Sequence, residues 1–151
     1  MVFNSVFNNV WTYMYNVFYS VDNKFYYLSL IKEKDSYSIH GLWPQYDKGN
    51  YPTYCRKVNF SINKLTPIIN ELNMYWNSYK ENNDDFWKHE YEKHGSCMFK
   101  QMDEFTYFNT TLKLYKEAIA LDIADMYYNE EKDLCLIPVG LELKIIDNKK
   151  V

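Results

Sequence analysis

The 151-residue chain carries only three histidines, His40, His89 and His94, and the last two lie in one charged run, Trp87-Lys-His-Glu-Tyr-Glu-Lys-His94. Imidazole, with an ordinary pKa of about 6.5, offers a proton acceptor and a proton donor at the same mildly acidic pH. At ~100° per residue, His89, Glu90, Lys93 and His94 fall on one side of a helix, with Trp87 and Tyr91 turned away. Two imidazoles, a carboxylate and an ammonium then face one spot. A solvated helix face would pair charges of opposite sign at i,i+4, as Glu90 with His94, but it leaves His89 beside Lys93 unexplained. Two cations side by side make sense when an anion is bound between them. A zinc helix fits poorly: its histidines stand at i and i+4 on one stripe, whereas His89 and His94 stand at i and i+5, diverge by ~140°, and flank a lysine.

His40 lies in a second cluster, Tyr37-Ser-Ile-His-Gly-Leu-Trp-Pro44, where a strand would deliver it to a loop bearing Trp43. An exposed Trp can stack a nucleic-acid base. Taken singly, Trp43 and Tyr51 would sooner be core residues and His40 structural, while Phe86, Trp87 and Tyr91 read as packing. The chain has 17 basic against 20 acidic residues, net charge -3, so no broad basic surface exists to hold a polyanion; one would be held locally. No run of 18 apolar residues is present, so no membrane-spanning helix is expected.

The elements that must position these clusters read as one mixed domain without repeats. Phe25 to Ile31 is an aromatic, β-branched strand ending in the charged turn Lys32 to Asp35, and Tyr37 to Ile39 starts a second. Gly41 to Pro52 reads as an aromatic loop. Ser61 looks like the N-cap of a helix carrying Leu65, Ile68, Ile69, Leu72 and Trp76, though Pro67 moves its true start toward Thr66. Asn82 to Asp85 offers caps for a helix from Phe86 to His94, closed by Gly95. A third helix runs from Glu104 to Tyr128, and Leu134 to Pro138 and Leu141 to Ile146 are late strands. Segregated helices and strands give an α+β class, a central antiparallel sheet packed with helices. Residues 1–24 stand apart: uncharged to Val21, with an apolar helical period interrupted by Asn, they read as an amphipathic packing segment or a degenerate signal, ahead of a domain at 25–151.

The segments IHGLWP (39–44) and FWKHEYEKHGSC (86–97) resemble the two active-site segments of the ribonuclease T2 family, the acid, transferase-type endoribonucleases. The resemblance covers about residues 25 to 147, with Tyr51-Pro52 and Cys55 at matching spacing. It implies a metal-independent enzyme without cofactor that cuts single-stranded RNA through a 2′,3′-cyclic phosphate. Attack by the ribose 2′-OH makes RNA, not DNA, the substrate. His94 would be the base and His40 the acid. His89 and Lys93 would hold the phosphate, with Glu90 assisting. Trp43 and Tyr51 would flank the base. Gln45 stands where some members carry an Asp that selects a purine, and its amide, both donor and acceptor, discriminates less sharply. The alternative is a catalytically idle relative that holds RNA or a protein partner.

The resemblance also implies a Cys55–Cys97 disulfide, a monomer, and a secreted or lumenal setting, or a cytoplasmic one if the N-terminus is no signal. Asn59-Phe60-Ser61 and Asn109-Thr110-Thr111 are glycosylation sequons. The family's Trp-Pro and cysteine after the first strand are absent. Cys135 resembles a family cysteine whose partner would fall near Asp147 and Asn148, leaving an odd thiol.

Overall fold

A computed structural model describes residues 23–47 and 49–146; the expected N-terminal segment and the neighbourhood of Asp147 and Asn148 fall outside the described residues. Alternation along Phe25–Lys32 makes strand β1, which sends Tyr26, Leu28 and Leu30 into the core. β2 spans Tyr37–Gln45, so the motif expected on a loop is itself strand. Short β3 (Tyr128–Asn129) and β4 (Leu134–Val139) complete an antiparallel sheet in the order β2-β1-β4-β3. The expected second late strand, Leu141 to Ile146, is not one. Leu143 turns the chain at φ 56°, leaving only the bridge from Val139 to Ile145.

The helical segments cover the face of the sheet that carries Leu28, Leu30, Ile39 and Leu42. A 3₁₀ helix at Ile62–Ile68, containing Pro67, leads into α1 (Ile69–Tyr75), and Ser61 makes no side-chain cap there. Pro67 has no amide hydrogen to continue a regular ladder, which explains the tighter opening turn. α2 (Asn83–Lys93) begins a turn earlier than expected: Asn82 accepts the amide of Asp85 at 2.9 Å, with Asp84 and Asp85 at the positive end of the helix dipole. α3 (Glu104–Ala120) is capped by Asp103 and buries Tyr107, Phe108, Thr111, Leu112, Leu114, Tyr115 and Ala118. It stops well before Tyr128, because Asp122 takes a left-handed φ of 52° and a 3₁₀ turn at Ala124–Tyr127 follows. Trp76, Trp87, Tyr107 and Phe108 fill the centre of the core. Among the described residues no helix is long and apolar enough to cross a membrane.

Candidate active site

The β1–β2 ladder slips by one residue at its middle. Ser29 pairs with Gly41 and Leu30 with Ile39, so His40 is the unpaired residue of a β-bulge. Strand side chains alternate between faces, and residues three apart should point oppositely. The bulge resets that parity. Ile39 and Leu42 both enter the core at 0% exposure, and His40 and Trp43 both face the cleft.

β2 is also an edge strand, and three aromatic side chains close its outer edge. The Trp76 indole N–H donates to the His40 carbonyl at 3.0 Å. The Tyr107 hydroxyl donates to the Leu42 carbonyl at 3.0 Å and accepts the Leu42 amide at 3.3 Å. The Tyr115 hydroxyl donates to the Tyr37 carbonyl at 2.8 Å. Main-chain groups of an edge strand otherwise stay open to water or to another strand. Here the same bonds fix the backbone on both sides of Gly41.

α2 supplies the opposite wall. His89 is exposed, Lys93 half-buried, and Glu90 and His94 almost wholly buried. Trp43 ties the walls together. Its indole N–H donates to Glu90 Oε2 at 3.0 Å, its ring stacks on His94 at 5.2 Å between centroids, and His40 meets it edge-on at 4.9 Å. Glu90 Oε1 stands 3.8 Å from His40 Nε2, so Glu90 turns toward the strand histidine and not toward His94, its i,i+4 neighbour. Gly41 lies beneath this bond: a Cβ there would fall 2.3 Å from Glu90 Oε2 and 2.4 Å from Trp43 Nε1. Only glycine fits so close an approach.

The electrostatics follow from burial and from Lys93. Burial, then Lys93, Lys80 and His89, hold the His40 imidazole down to about 4. Burial, then Lys93, His40 and His89, hold His94 down to about 3. Burial pushes the Glu90 carboxyl up to about 7, against the pull of the Trp43 hydrogen bond and Lys93. The Nδ1 atoms of His40 and His94 are buried and bonded to no protein group.

The loop carrying Tyr51 is fastened to the end of α2. The Tyr54 amide donates to the Lys93 carbonyl at 2.9 Å and the Cys55 amide to Ser96 Oγ at 3.1 Å, and Cys55 is disulfide-bonded to Cys97. The ring of Tyr54 meets that of His89 edge-on. Cys135 is a buried free thiol on β4.

One cleft of about 750 Å³ brings together all eight expected site residues: His40, Trp43, Gln45, Tyr51, His89, Glu90, Lys93 and His94. Tyr51 is half exposed, while Gln45 is buried with its amide donating to the Trp43 carbonyl at 3.4 Å. Phe86, read as packing, is buried but also lines the cleft and lies 5.8 Å from the His40 ring. Tyr79, Lys80 and Lys132 line it without having been singled out. Gly41, Trp76 and Tyr107 shape the site from behind. Gly41 carried a signal, its place next to His40; the aromatic bonds join residues far apart in sequence and left none. Among the described residues no group of three or more His, Cys, Asp and Glu is arranged to hold a metal ion.

Fold and cleft together define a class: an α+β protein in which two imidazoles, a lysine and a buried carboxyl line one cleft. The chain belongs to the ribonuclease T2 family, whose model matches residues 6–129. It is 39% identical to Ribonuclease DdI of Dictyostelium discoideum over 101 residues, which cover 64% of this chain and 45% of that protein. It is 34% identical to a ribonuclease-like storage protein of Panax ginseng over 98 residues, covering 64% and 40%. It is 38% identical to the ribonuclease T2 protein rnst-2 of Caenorhabditis elegans over 95 residues, covering 58% and 33%. The chain thus spans less than half the length of these relatives. Among solved structures, RNase NT in complex with 5′-AMP superposes with a TM-score of 0.65 at 20% identity, covering 83% of this chain and 90% of that one. A variant of RNase MC1 in complex with 5′-UMP gives 0.65 at 18%, covering 84% and 93%. At such identities these structures establish the shared α+β fold.

Proposed function

We propose that the chain is an endoribonuclease that cleaves single-stranded RNA by transphosphorylation, without a metal. The observation that carries this reading is the contact of both His40 and His94 with the ring of Trp43, with Glu90 and Lys93 in the same cleft. His94 takes the proton of the ribose 2′-OH as the oxygen attacks phosphorus. His40 delivers a proton to the departing 5′-oxygen, leaving a 2′,3′-cyclic phosphate. Lys93 and His89 hold the phosphate and offset charge developing on its oxygens. A bound phosphodiester, being an anion, raises both imidazole pKa values and favours the donor form at His40. Glu90 assists: once ionised, it stabilises an imidazolium at His40, 3.8 Å away. Tyr51 and one face of Trp43 flank the base.

The test is digestion of single-stranded RNA from pH 4 to 8, with and without EDTA, with product ends read by mass spectrometry. Cyclic phosphate ends and indifference to EDTA are expected. His40→Ala and His94→Ala should each lower turnover by about 10²-fold or more with folding intact. Variants retaining near-full rate would reject the assignment. A second reading is raised by relatives named a ribonuclease-like storage protein and an RNase-related protein from Calystegia sepium. In that reading the chain binds without cutting, and no product would form from oxidised protein at any pH.

A further inference from the structure

Strand β1 places a hydroxyl beneath the cleft that no hydrogen bond accounts for. Ser29 pairs with Gly41 of β2 on one side and with Leu136 of β4 on the other. Directly opposed residues of an antiparallel pair share a face, with their Cβ atoms ~5 Å apart. The neighbouring rungs agree: Leu28 and Leu42 are both buried in the core, while Tyr27 and Trp43 both line the cleft. Ser29 therefore stands on the cleft face, beside the point where a Gly41 Cβ would fall 2.3 Å from Glu90 Oε2. A hydroxyl on the Ser29 Cβ, with a bond of ~2.7 Å to its acceptor, spans such an interval. Ser29 is 0% exposed and its Oγ is bonded to no protein group. Buried polar side chains of native proteins nearly always find a partner.

Glu90 has room for a second donor. Trp43 Nε1 donates to its Oε2 at 3.0 Å, and His40 Nε2 stands 3.8 Å from its Oε1. The other groups facing this carboxyl are Lys93 on its own helix, Glu81 in the loop before it, and the Tyr107 hydroxyl from α3. Lys93 favours ionisation and Glu81 opposes it, while the Tyr107 hydrogen is committed to the Leu42 carbonyl at 3.0 Å. Burial keeps the carboxyl protonated up to about 7. Once ionised, it accepts at about four lone-pair sites. Ser29 carries the uncommitted hydroxyl beside it.

We propose that Ser29 is a positioning residue: by a turn of χ1 its hydroxyl donates to the ionised Glu90, holding Oε2 between Ser29 and Trp43 so that Oε1 faces the His40 imidazole. The effect on turnover rests on the ribonuclease reading; the hydrogen bond does not. The test follows Glu90 Cδ by carbon-13 NMR through a pH titration of the wild type, Ser29→Ala, Ser29→Thr and Ser38→Ala, the resonance being the one lost in Glu90→Gln. Ser38 is another buried serine of the sheet, on β2 opposite Ile31. Loss of a hydrogen bond to a charged group should raise the Glu90 midpoint by ~1 unit in Ser29→Ala. Ser29→Thr, which keeps the hydroxyl, and Ser38→Ala should leave it in place. With a dinucleoside monophosphate at pH 6, Ser29→Ala should lower kcat ~3- to 10-fold, the fall in ionised Glu90 that such a shift brings. The deficit should narrow toward pH 8, KM should hold, and Ser29→Thr should restore the rate. An unmoved Glu90 in Ser29→Ala, or an equal shift in Ser38→Ala, would overturn the hydrogen bond even if RNA is cut rapidly. A shifted Glu90 with kcat unchanged at pH 6 would overturn the positioning role. A shifted Glu90 in a protein that cleaves no RNA at any pH supports the hydrogen bond and refutes the ribonuclease reading.

Discussion

Replacing Gly41 by alanine places a methyl carbon 2.3 Å from Glu90 Oε2 and 2.4 Å from Trp43 Nε1. Ordinary van der Waals contact begins near 3.4 Å, so the carboxyl and the indole must each give way by about 1 Å. A displacement of about that size within a reacting constellation costs roughly 10²-fold in turnover. Losing the Trp43–Glu90 hydrogen bond while both groups stay buried costs ~1–3 kcal/mol, or roughly 2–12 °C in Tm for a domain of this size. The assay is steady-state cleavage of a dinucleoside monophosphate together with thermal melting by circular dichroism. Gly49→Ala is the matched control, since nothing lies within 4 Å of the Cβ it would introduce. Turnover within threefold of wild type for Gly41→Ala, or equal effects of the two substitutions, would refute the idea that this close approach assembles the site.

Glu90→Gln tests the raised carboxyl. From its ordinary 4.5 to about 7 the folded protein holds a proton that the unfolded chain has lost, so on account of this group stability falls as pH rises through that window. The variant should melt near wild type at pH 5 and gain on it at pH 8, as melting curves at the two pH values will show. The pH–rate profile of the wild type should be a bell centred below 6.5, because burial and Lys93 lower both imidazoles; Lys93→Gln should move it to higher pH while weakening phosphate binding. Tyr107→Phe strands both main-chain groups of Leu42 and should cost ~2–5 kcal/mol, whereas Tyr115→Phe strands only the Tyr37 carbonyl and should cost ~1–2, measured by urea denaturation. Replacing Cys55 and Cys97 together by serine should cost up to ~4 kcal/mol in the chain-entropy model and raise KM by loosening the Tyr51 loop, seen in melting and in kinetics.

The sequence made legible what depends on local pattern. Phe25 to Ile31 declared β1 through aromatic and β-branched residues, and Asn82 to Asp85 declared a capped helix, although α2 begins at Asn83 and not at the expected Phe86. The expected site residues share one cleft because the motif segments hold them in fixed local order. What stayed hidden depended on distant partners. Tyr37 to Gln45 fails a period of two because the bulge at His40 shifts it, and so the strand reads as a loop after Ile39. α3 ends at a non-glycine left-handed residue, Asp122, which carries none of the usual stop signal. Leu141 to Ile146 is apolar enough for a strand, yet the turn at Leu143 leaves it without a ladder.

The single extra residue at His40 implies an asymmetry between kinds of mutation. Substitutions along β2 are judged one by one, each by the face on which its side chain falls. Deleting the one extra residue, His40 or Gly41, would close the slip and leave Leu42 opposite Leu28 and Trp43 opposite Tyr27, facing as before, whereas deleting Leu42 would move Trp43 opposite Leu28 and turn it toward the core. The bulge is thus the place in β2 where length can change without turning the rest of the strand over. A screen of single-residue deletions through 37–45 should find folding best preserved at 40–41, with cleavage lost when His40 goes, and both lost when Leu42 or Trp43 is deleted.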